Sequence, residues 1–429
     1  MTKKIKKLKI AIAGLGTVGK GVYDILQKDH NLILQRTNTD VEIVAVGSRS
    51  KKDFVNKNIK FYDDILQIAD DPQVDVVVEL MGGKTIAKEL IFKAVKNGKK
   101  VVTANKALLA EDCNEIIDLL KNHNSSILFE ASVAGANPII KAFREGFVAN
   151  EIKEIYAILN GTCNFILTKM RDEKSDYLKT LKQAQELGFA EADPTFDVEG
   201  IDTAHKIALL SNIANSTIAD FNKIYIEGIS KIHDQDIELS SQLGYKIKLL
   251  AIYKKIDDKS QISVYPALIA STEKIAQVDG SYNAILTLGN NFEWNMMIGR
   301  GAGGLTTGSA VVADIVDIAC ERVNKNIFNV DYQSLKQSSI IDIAQRFGKY
   351  FIKFTIANDH LKEKNSLVKF FSNQLISQQI IYKKIDDINT LCAFISNDLE
   401  EQQLTDIINK IDNNIVKDIR FIRVEKTNF

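Results

Sequence analysis

Several things are scarce in this chain, and each scarcity excludes something. Only four of the 429 residues are cysteine, and Cys113, Cys163, Cys320 and Cys392 are scattered with no CxxC pair. That argues against a zinc site and a disulfide scaffold, and fits a reducing cytoplasm. Neither sign of charge prevails, with Lys plus Arg and Asp plus Glu at 55 each, so no nucleic-acid partner is expected. No apolar run reaches the roughly 18 residues that a membrane span needs. The basic start, Lys3, Lys4, Lys6 and Lys7, is followed by an apolar stretch that breaks at Gly14. It reads as a solvated tail before a first strand rather than a secretory signal. Internal repeats and low-complexity segments are missing too.

What is there is an ordinary globular composition, 45% hydrophobic and 26% charged, long enough for two or three domains. Residues 8–13 (LKIAIA) predict a buried strand, and further strands are predicted at 41–47, 74–80, 100–103 and 126–130. Helices fall between them, for example at 86–97 and 113–123. Short apolar strands alternating with helices predict a parallel, doubly wound sheet of the Rossmann type over residues 1–138. A mixed α+β domain is expected over 139–304. It has strands at 151–160, 245–254 and 261–270 and helices at 163–170, 176–187 and 201–213. A helix within 305–325 is expected to pack back on the first domain. After a linker at 326–345, residues 346–429 read as strand 350–357, helix 366–373, strands 379–385 and 391–396, helix 404–411 and strand 416–424. That order, βαββαβ, is ferredoxin-like.

Gly14-x-Gly16-x-x-Gly19 follows the first strand and opens a helix. The first glycine allows a tight turn, the second lets backbone approach a pyrophosphate, and the third lets helix and strand pack closely. With Thr17 and Val18 at the helix N-terminus, this predicts dinucleotide binding. The second strand ends Gly47-Ser48-Arg49-Ser50-Lys51-Lys52, with no acid until Asp53. Arg49 there predicts NADP, with NAD the alternative. Gly82, Gly83 and Thr103 end the third and fourth strands, at the edge where such sheets bind ligands. Lys106 follows in Thr103-Ala104-Asn105-Lys106, facing nicotinamide and substrate.

The segment Leu187–Leu210, LGFAEADPTFDVEGIDTAHKIALL, sets seven ionisable residues among apolar runs. Asp202 and Lys206 are four apart and share a helix face. A lysine held there by carboxylates suits proton donation at a reacting carbonyl. His205 points roughly a hundred degrees away and reads as structural or solvated. Cys163 reads as core, and Asp193-Pro194 as a turn.

GLGTVGKGV, VVTANKALLA, EASVAGANPII, ILNGTCNFIL, LGFAEADPTFDVEGIDTAHK and GAGGLTTGSAVVADI together resemble the homoserine dehydrogenase family, from residue 8 to about 320. The C-terminal unit resembles the ACT regulatory domain of many monofunctional members. The chain starts at the Rossmann strand, so no aspartate kinase domain is expected ahead of it. The resemblance implies reduction of aspartate 4-semialdehyde to homoserine with NAD(P)H, on the route to threonine and methionine. It implies Lys206 as proton donor, Lys106 as second substrate-site lysine and Asp202 as the carboxylate that positions substrate and lysine. Glu191 would bind the substrate amino group, with Asp197, Asn160, Gly161 and Thr162 lining the pocket. Glu130, Val133, Gly135 and Asn137 match a sodium site, and Gly301 and Gly303 a loop over the cofactor. Lys206 and Lys106 are expected one from each domain. A homodimer or tetramer in the cytoplasm is implied, with threonine as effector at the ACT domain.

The chain departs from the family in places. Ala136-Asn137 stands where Gly-Ile is usual. Gly308 replaces an alanine and is expected to loosen a helix turn. The first ACT loop, from Ala357 to Asn365, lacks the usual effector glycine. Two rival functions remain. A thioester-forming semialdehyde dehydrogenase needs a cysteine beside a histidine base, which no cysteine here has. A non-catalytic amino-acid sensor would not need Glu191, Asp202 and Lys206.

Overall fold

The computed structural model describes residues 5–323, 326–328, 330–358, 380–412, 414–427 and 429. Contacts divide the chain into two compact units. One comprises the described residues within Met1–Lys153, His205–Asn222 and Asn283–Ser338, the other those within Glu154–Ala204, Lys223–Tyr282 and Ser339–Phe429. This division groups Lys206 with Lys106, where the sequence suggested one lysine from each domain. It also places the C-terminal strands with the second unit rather than apart.

The first unit is built on six parallel strands: β1 (Lys6–Ala13), β2 (Thr39–Gly47), β3 (Lys60–Tyr62), β4 (Val76–Glu79), β5 (Lys100–Thr103) and β6 (Ile127–Leu128). Their order is β3-β2-β1-β4-β5-β6, that of a dinucleotide-binding sheet. The C-terminal half of β1 is buried on both faces, as a central parallel strand with helices on either side requires. Helices α1 (Thr17–Lys28), α2 (His30–Thr37), α3 (Thr85–Lys96), α4 (Lys106–Glu111) and α5 (Cys113–Asn122) connect the strands.

Two differences from expectation have local causes. The fifth expected strand covers only Ile127–Leu128, because Glu130 leaves the ladder. Its N–H donates to Asp314 Oδ2 at 2.8 Å, and it opens a short 3-10 turn, Glu130–Ser132. β3 was not expected at all; it is short and its first residue is exposed.

The second unit's sheet runs β7 (Ile152–Ile158), β8 (Tyr245–Ile256), β9 (Lys259–Ala270), β15 (Val416–Glu425), β12 (Tyr350–Ala357), β14 (Asn389–Ile395) and β13 (Ile381–Lys384). The C-terminal strands continue the sheet through a parallel pairing of β15 with β9, Ala267 opposite Arg423. Buried ion pairs seal this junction. Glu425 accepts from Arg346 Nη2 at 2.7 Å, Lys254 Nζ at 2.8 Å and Tyr265 Oη at 2.8 Å. Arg423 donates to Glu401 and Glu227. Helices α6 (Gly161–Glu173), α7 (Tyr177–Glu186), α9 (Asp234–Gln242) and α11 (Glu401–Ile408) complete the unit. Helix α8 (Ile201–Asn215) begins here and continues into the residues of the first unit. The helix expected at 366–373 lies outside the described residues.

A hairpin, β10 (Tyr282–Gly289) and β11 (Glu293–Arg300), precedes helix α10 (Gly304–Ala319). The hairpin was not anticipated, although Asn290-Asn291 between apolar runs is a turn signal. Helix α10 packs back on the Rossmann sheet, with Val311, Ile315 and Ile318 in one core with Ile10, Ile12 and Val22. Gly308 sits where this helix approaches α1 closely. A Cβ at Gly308 would lie 3.0 Å from the backbone of Gly21, and one at Gly21 would lie 2.1 Å from the Gly304 carbonyl oxygen. Glycines on both helices let their backbones touch.

Candidate active site

In the first unit the glycine-rich turn has the geometry its spacing predicts. Gly14 has φ +102°, and a Cβ on it would meet the Leu80 carbonyl oxygen at 2.6 Å. A Cβ on Gly19 would meet the Gly14 carbonyl oxygen at 1.9 Å. Gly16 is different, because a Cβ there would meet nothing within 4 Å. The N-terminus of α1, at Thr17 and Val18, has no side-chain cap and no acid in its first turn. Uncapped N–H groups beside open space fit a pyrophosphate. Beyond β2, Arg49 is exposed, while Ser48 is buried and donates to the Ser50 carbonyl at 2.6 Å.

The ends of β4 and β5 are tied together. Glu79 is fully buried, accepting from Thr103 Oγ1 at 2.6 Å and Met81 N–H at 2.8 Å. Burial raises its carboxyl above the ordinary range against the pull of those hydrogen bonds. Asn105 caps α4 by accepting from Leu108 N–H and donates to the Gly83 carbonyl at 2.6 Å. Gly82 and Gly83 both have φ +72°, a conformation that side chains resist. So Gly82, Gly83, Thr103 and Lys106, the first residue of α4, form one connected rim. Glu79 was not singled out from sequence. Asn105 carried a signal, an Asn just ahead of a helix.

The loops holding the remaining first-unit candidates also meet. Gly301 fits against Asn283, whose side chain a Cβ would strike at 2.3 Å, and Gly303 has φ +122°. Gly135, at φ +33°, abuts the Gly301 carbonyl, and Ala136 N–H donates to the Arg300 carbonyl at 3.0 Å. Glu130 is buried and accepts from Ile140 N–H at 3.0 Å and Lys141 N–H at 2.8 Å. Val133 and Asn137 are buried in the same loop. Among the described residues no three His, Cys, Asp or Glu side chains converge on a metal position.

In the second unit the structure gathers most of the expected substrate residues around Asn160. This residue caps α6, accepting from Cys163 N–H at 2.8 Å. Its Nδ2 donates to Asp197 Oδ1 at 2.7 Å and Asp202 Oδ2 at 3.0 Å. Gly161 lies against the Ser281 carbonyl, with no room for a Cβ. Thr162 Oγ1 donates to the Phe189 carbonyl at 2.7 Å. Asp202 is buried, and Lys206 follows one helical turn later on α8, half-buried. Glu191 stands apart from this network, exposed, its own carbonyl held by Gln185. Cys163 is buried, and its Sγ donates to the Asp197 carbonyl. Asp193 accepts from Thr195 N–H and Oγ1, so Asp193-Pro194 does open a turn.

Sequence comparisons bear on this arrangement. A model of the homoserine dehydrogenase NAD-binding domain matches residues 14–130, and one of homoserine dehydrogenase matches residues 138–316. A homoserine dehydrogenase of Neisseria gonorrhoeae is 46% identical over 317 residues, 73% of each chain. The structure of a homoserine dehydrogenase from Thiobacillus denitrificans superposes with a TM-score of 0.91 at 35% identity, covering 98% of this chain and 99% of that one. A hyperthermophilic archaeal homoserine dehydrogenase in complex with NADPH covers 75% of this chain and all of its own (100%), at 26% identity and a TM-score of 0.63. With its Rossmann sheet, its glycine turn and its buried carboxylates, the chain belongs to the homoserine dehydrogenase family, nicotinamide-dependent oxidoreductases that interconvert aspartate 4-semialdehyde and homoserine.

Proposed function

We propose that the chain reduces aspartate 4-semialdehyde to homoserine with NADPH in preference to NADH, using Lys206 and Lys106 at the carbonyl. The observation that carries this is the Asn160 amide bridging Asp197 and Asp202, one helical turn ahead of Lys206. Asp202 is buried one helical turn before Lys206, and an ammonium group suits proton donation to an oxygen that gains negative charge. A bound nicotinamide supplies the hydride. Lys206 then protonates the alkoxide, Lys106 stabilises the charge as it develops, and Glu191 pairs with the substrate ammonium. Lys206→Ala is expected to lower kcat by at least about 10²-fold, the lower range for a general acid. A near-normal kcat would end that role.

Exposed Arg49 and the absence of an acid before Asp53 support NADPH, because a guanidinium pairs with a 2′-phosphate. An archaeal homoserine dehydrogenase of known structure is in complex with NADPH. Comparison of KM for NADPH and NADH tests it, and a clear NADH preference refutes Arg49.

Sodium is proposed at Glu130, Val133, Gly135 and Asn137. Each Glu130 carboxylate oxygen accepts one backbone N–H and retains acceptor capacity, and loop oxygens suit a hard cation. Unfolding midpoints in sodium and choline chloride should differ; equal midpoints remove the cation.

The C-terminal strands are proposed as an ACT-type domain with threonine as effector, in a dimer or tetramer in the cytoplasm. Their order, β15-β12-β14-β13 with antiparallel pairing throughout, supports the ferredoxin-like reading. Among the described residues no helix is long and apolar enough to cross a membrane.

A further inference from the structure

Glu111 ends the short helix α4, which Lys106 begins. Lys106 lies five positions earlier in the helix, about 7.5 Å along the axis. The Glu111 carboxylate makes two side-chain contacts. One Oε pairs with Lys84, which directly follows the positive-φ pair Gly82-Gly83. The other lies 2.7 Å from His205 Nε2. His205 immediately precedes Lys206 on α8 and is buried, 1% exposed. Its ring stacks on Phe221, with centroids 4.5 Å apart and planes within 8°. The imidazole therefore has little freedom to swing. Burial raises the Glu111 carboxyl, but hydrogen bonds from Lys84 and His205 outweigh it and hold it below the ordinary range.

One carboxylate thus ties together the helix that starts with Lys106, the helix that carries Lys206 and the glycine loop at the end of β4. We propose that Glu111, acting through His205 and Lys84, is a positioning residue for the reduction. It sets the separation of the two lysines and the placement of the Gly82-Gly83 loop. His205 is the strut between the helices. Hydride transfer is sensitive to such placement, since a displacement of about 1 Å costs on the order of a hundredfold in rate. The inference rests on the assignment of Lys106 and Lys206 proposed above.

Four variants test it: Glu111→Ala, Glu111→Gln, His205→Phe and Lys206→Ala. His205→Phe keeps a ring to stack on Phe221 but loses the hydrogen bond. Steady-state constants are measured with NADPH, together with the isotope effect on kcat when the transferred hydrogen is deuterium. Glu111→Ala and His205→Phe should each lower kcat about tenfold to a hundredfold. Their isotope effect should rise, because hydride transfer becomes the slow step. Glu111→Gln, which still offers His205 an acceptor oxygen, should recover much of the loss. Wild-type kcat in Glu111→Ala and His205→Phe, alongside an inactive Lys206→Ala, overturns the positioning role alone. A fall in kcat with an unchanged isotope effect overturns it as well, since that signals less folded enzyme rather than misplaced groups. An active Lys206→Ala overturns the lysine assignment, and the positioning role with it.

Discussion

Replacing Gly16 by alanine separates cofactor binding from folding. Gly16 has φ −76° and ψ −160°, which any residue adopts, and its Cβ would meet no protein atom within 4 Å. Two small opposing effects act on stability. Alanine restricts the unfolded chain, worth about 0.4–1 kcal/mol in favour of folding. Alanine is also a poorer N-cap than glycine, by several tenths of a kcal/mol or more. The sum is about zero, within roughly 0.5 kcal/mol. Binding is another matter, because the empty space in front of Gly16 is where a pyrophosphate would approach the N-terminus of α1. A methyl group there holds the phosphate away from the helix N–H groups. Losing one hydrogen bond to a charged group costs about 1.5–3 kcal/mol, roughly a 10- to 150-fold rise in Kd. NADPH titration by fluorescence measures the second quantity, and urea unfolding without cofactor the first. An unchanged NADPH affinity would refute the placement of the phosphates, and a large loss of stability would refute the open space around Gly16.

Two further predictions concern buried charge. Asp71 is 8% exposed and accepts from Tyr62 Oη at 2.7 Å, Gln73 N–H at 2.9 Å and Lys60 Nζ at 3.1 Å. The Tyr62 hydrogen bond leads in pulling its carboxyl down to about 2. A carboxylate depressed in the folded state contributes stability above its unfolded pKa and loses it as pH falls through the folded value. Asp71→Asn should therefore cost about 2 kcal/mol at neutral pH, a gap that narrows between about pH 4 and about pH 2. A difference that stays constant over that range in urea titrations would contradict the pairing. Glu425→Gln strips the counter-charge from Arg346 and Lys254 at the β9–β15 junction and should destabilise the second unit by about 3–5 kcal/mol. Hydrogen exchange of β9 and β15 amides reads this locally, and unchanged protection would mean that the pairing does not depend on the ion pairs.

Elements with a strong local pattern were legible in the sequence. β5 and β12 fall on the expected residues, because a short apolar run with nothing else to do becomes a strand. The glycine turn was legible because each glycine answers a local steric demand. What escaped depends on partners distant in sequence. Nothing in Val-Val-Val-Glu says that Glu79 is fully buried; Thr103, on the neighbouring strand, supplies the donor that makes burial tolerable. His205 read as structural or solvated, and it is buried because Glu111 and Phe221 meet it. The C-terminal strands were legible one by one, but their continuation of the β7–β8–β9 sheet was not. That pairing is fixed by Arg423 and Glu425, which alternate with other polar and apolar residues on a strand that also reads as an independent edge.

The same logic settles the orientation of the Asn160 amide. An asparagine offers one acceptor oxygen and two donor hydrogens, and either face of the amide fits the same volume. Here the oxygen faces the Cys163 N–H of a helix N-terminus, while the nitrogen faces two carboxylate oxygens. Turning the amide over would set two donors against each other and an oxygen against two acceptors. Both amide hydrogens are then committed, one to Asp197 and one to Asp202, and each carboxylate keeps acceptor capacity for a substrate ammonium or hydroxyl. An aspartate at this position would set a carboxylate oxygen against one oxygen of Asp197 and one of Asp202. An alanine would leave the first turn of α6 uncapped. Asparagine alone among side chains of its size serves the helix end and the paired acids together, so the capping residue of α6 is also what holds the candidate substrate carboxylates in place.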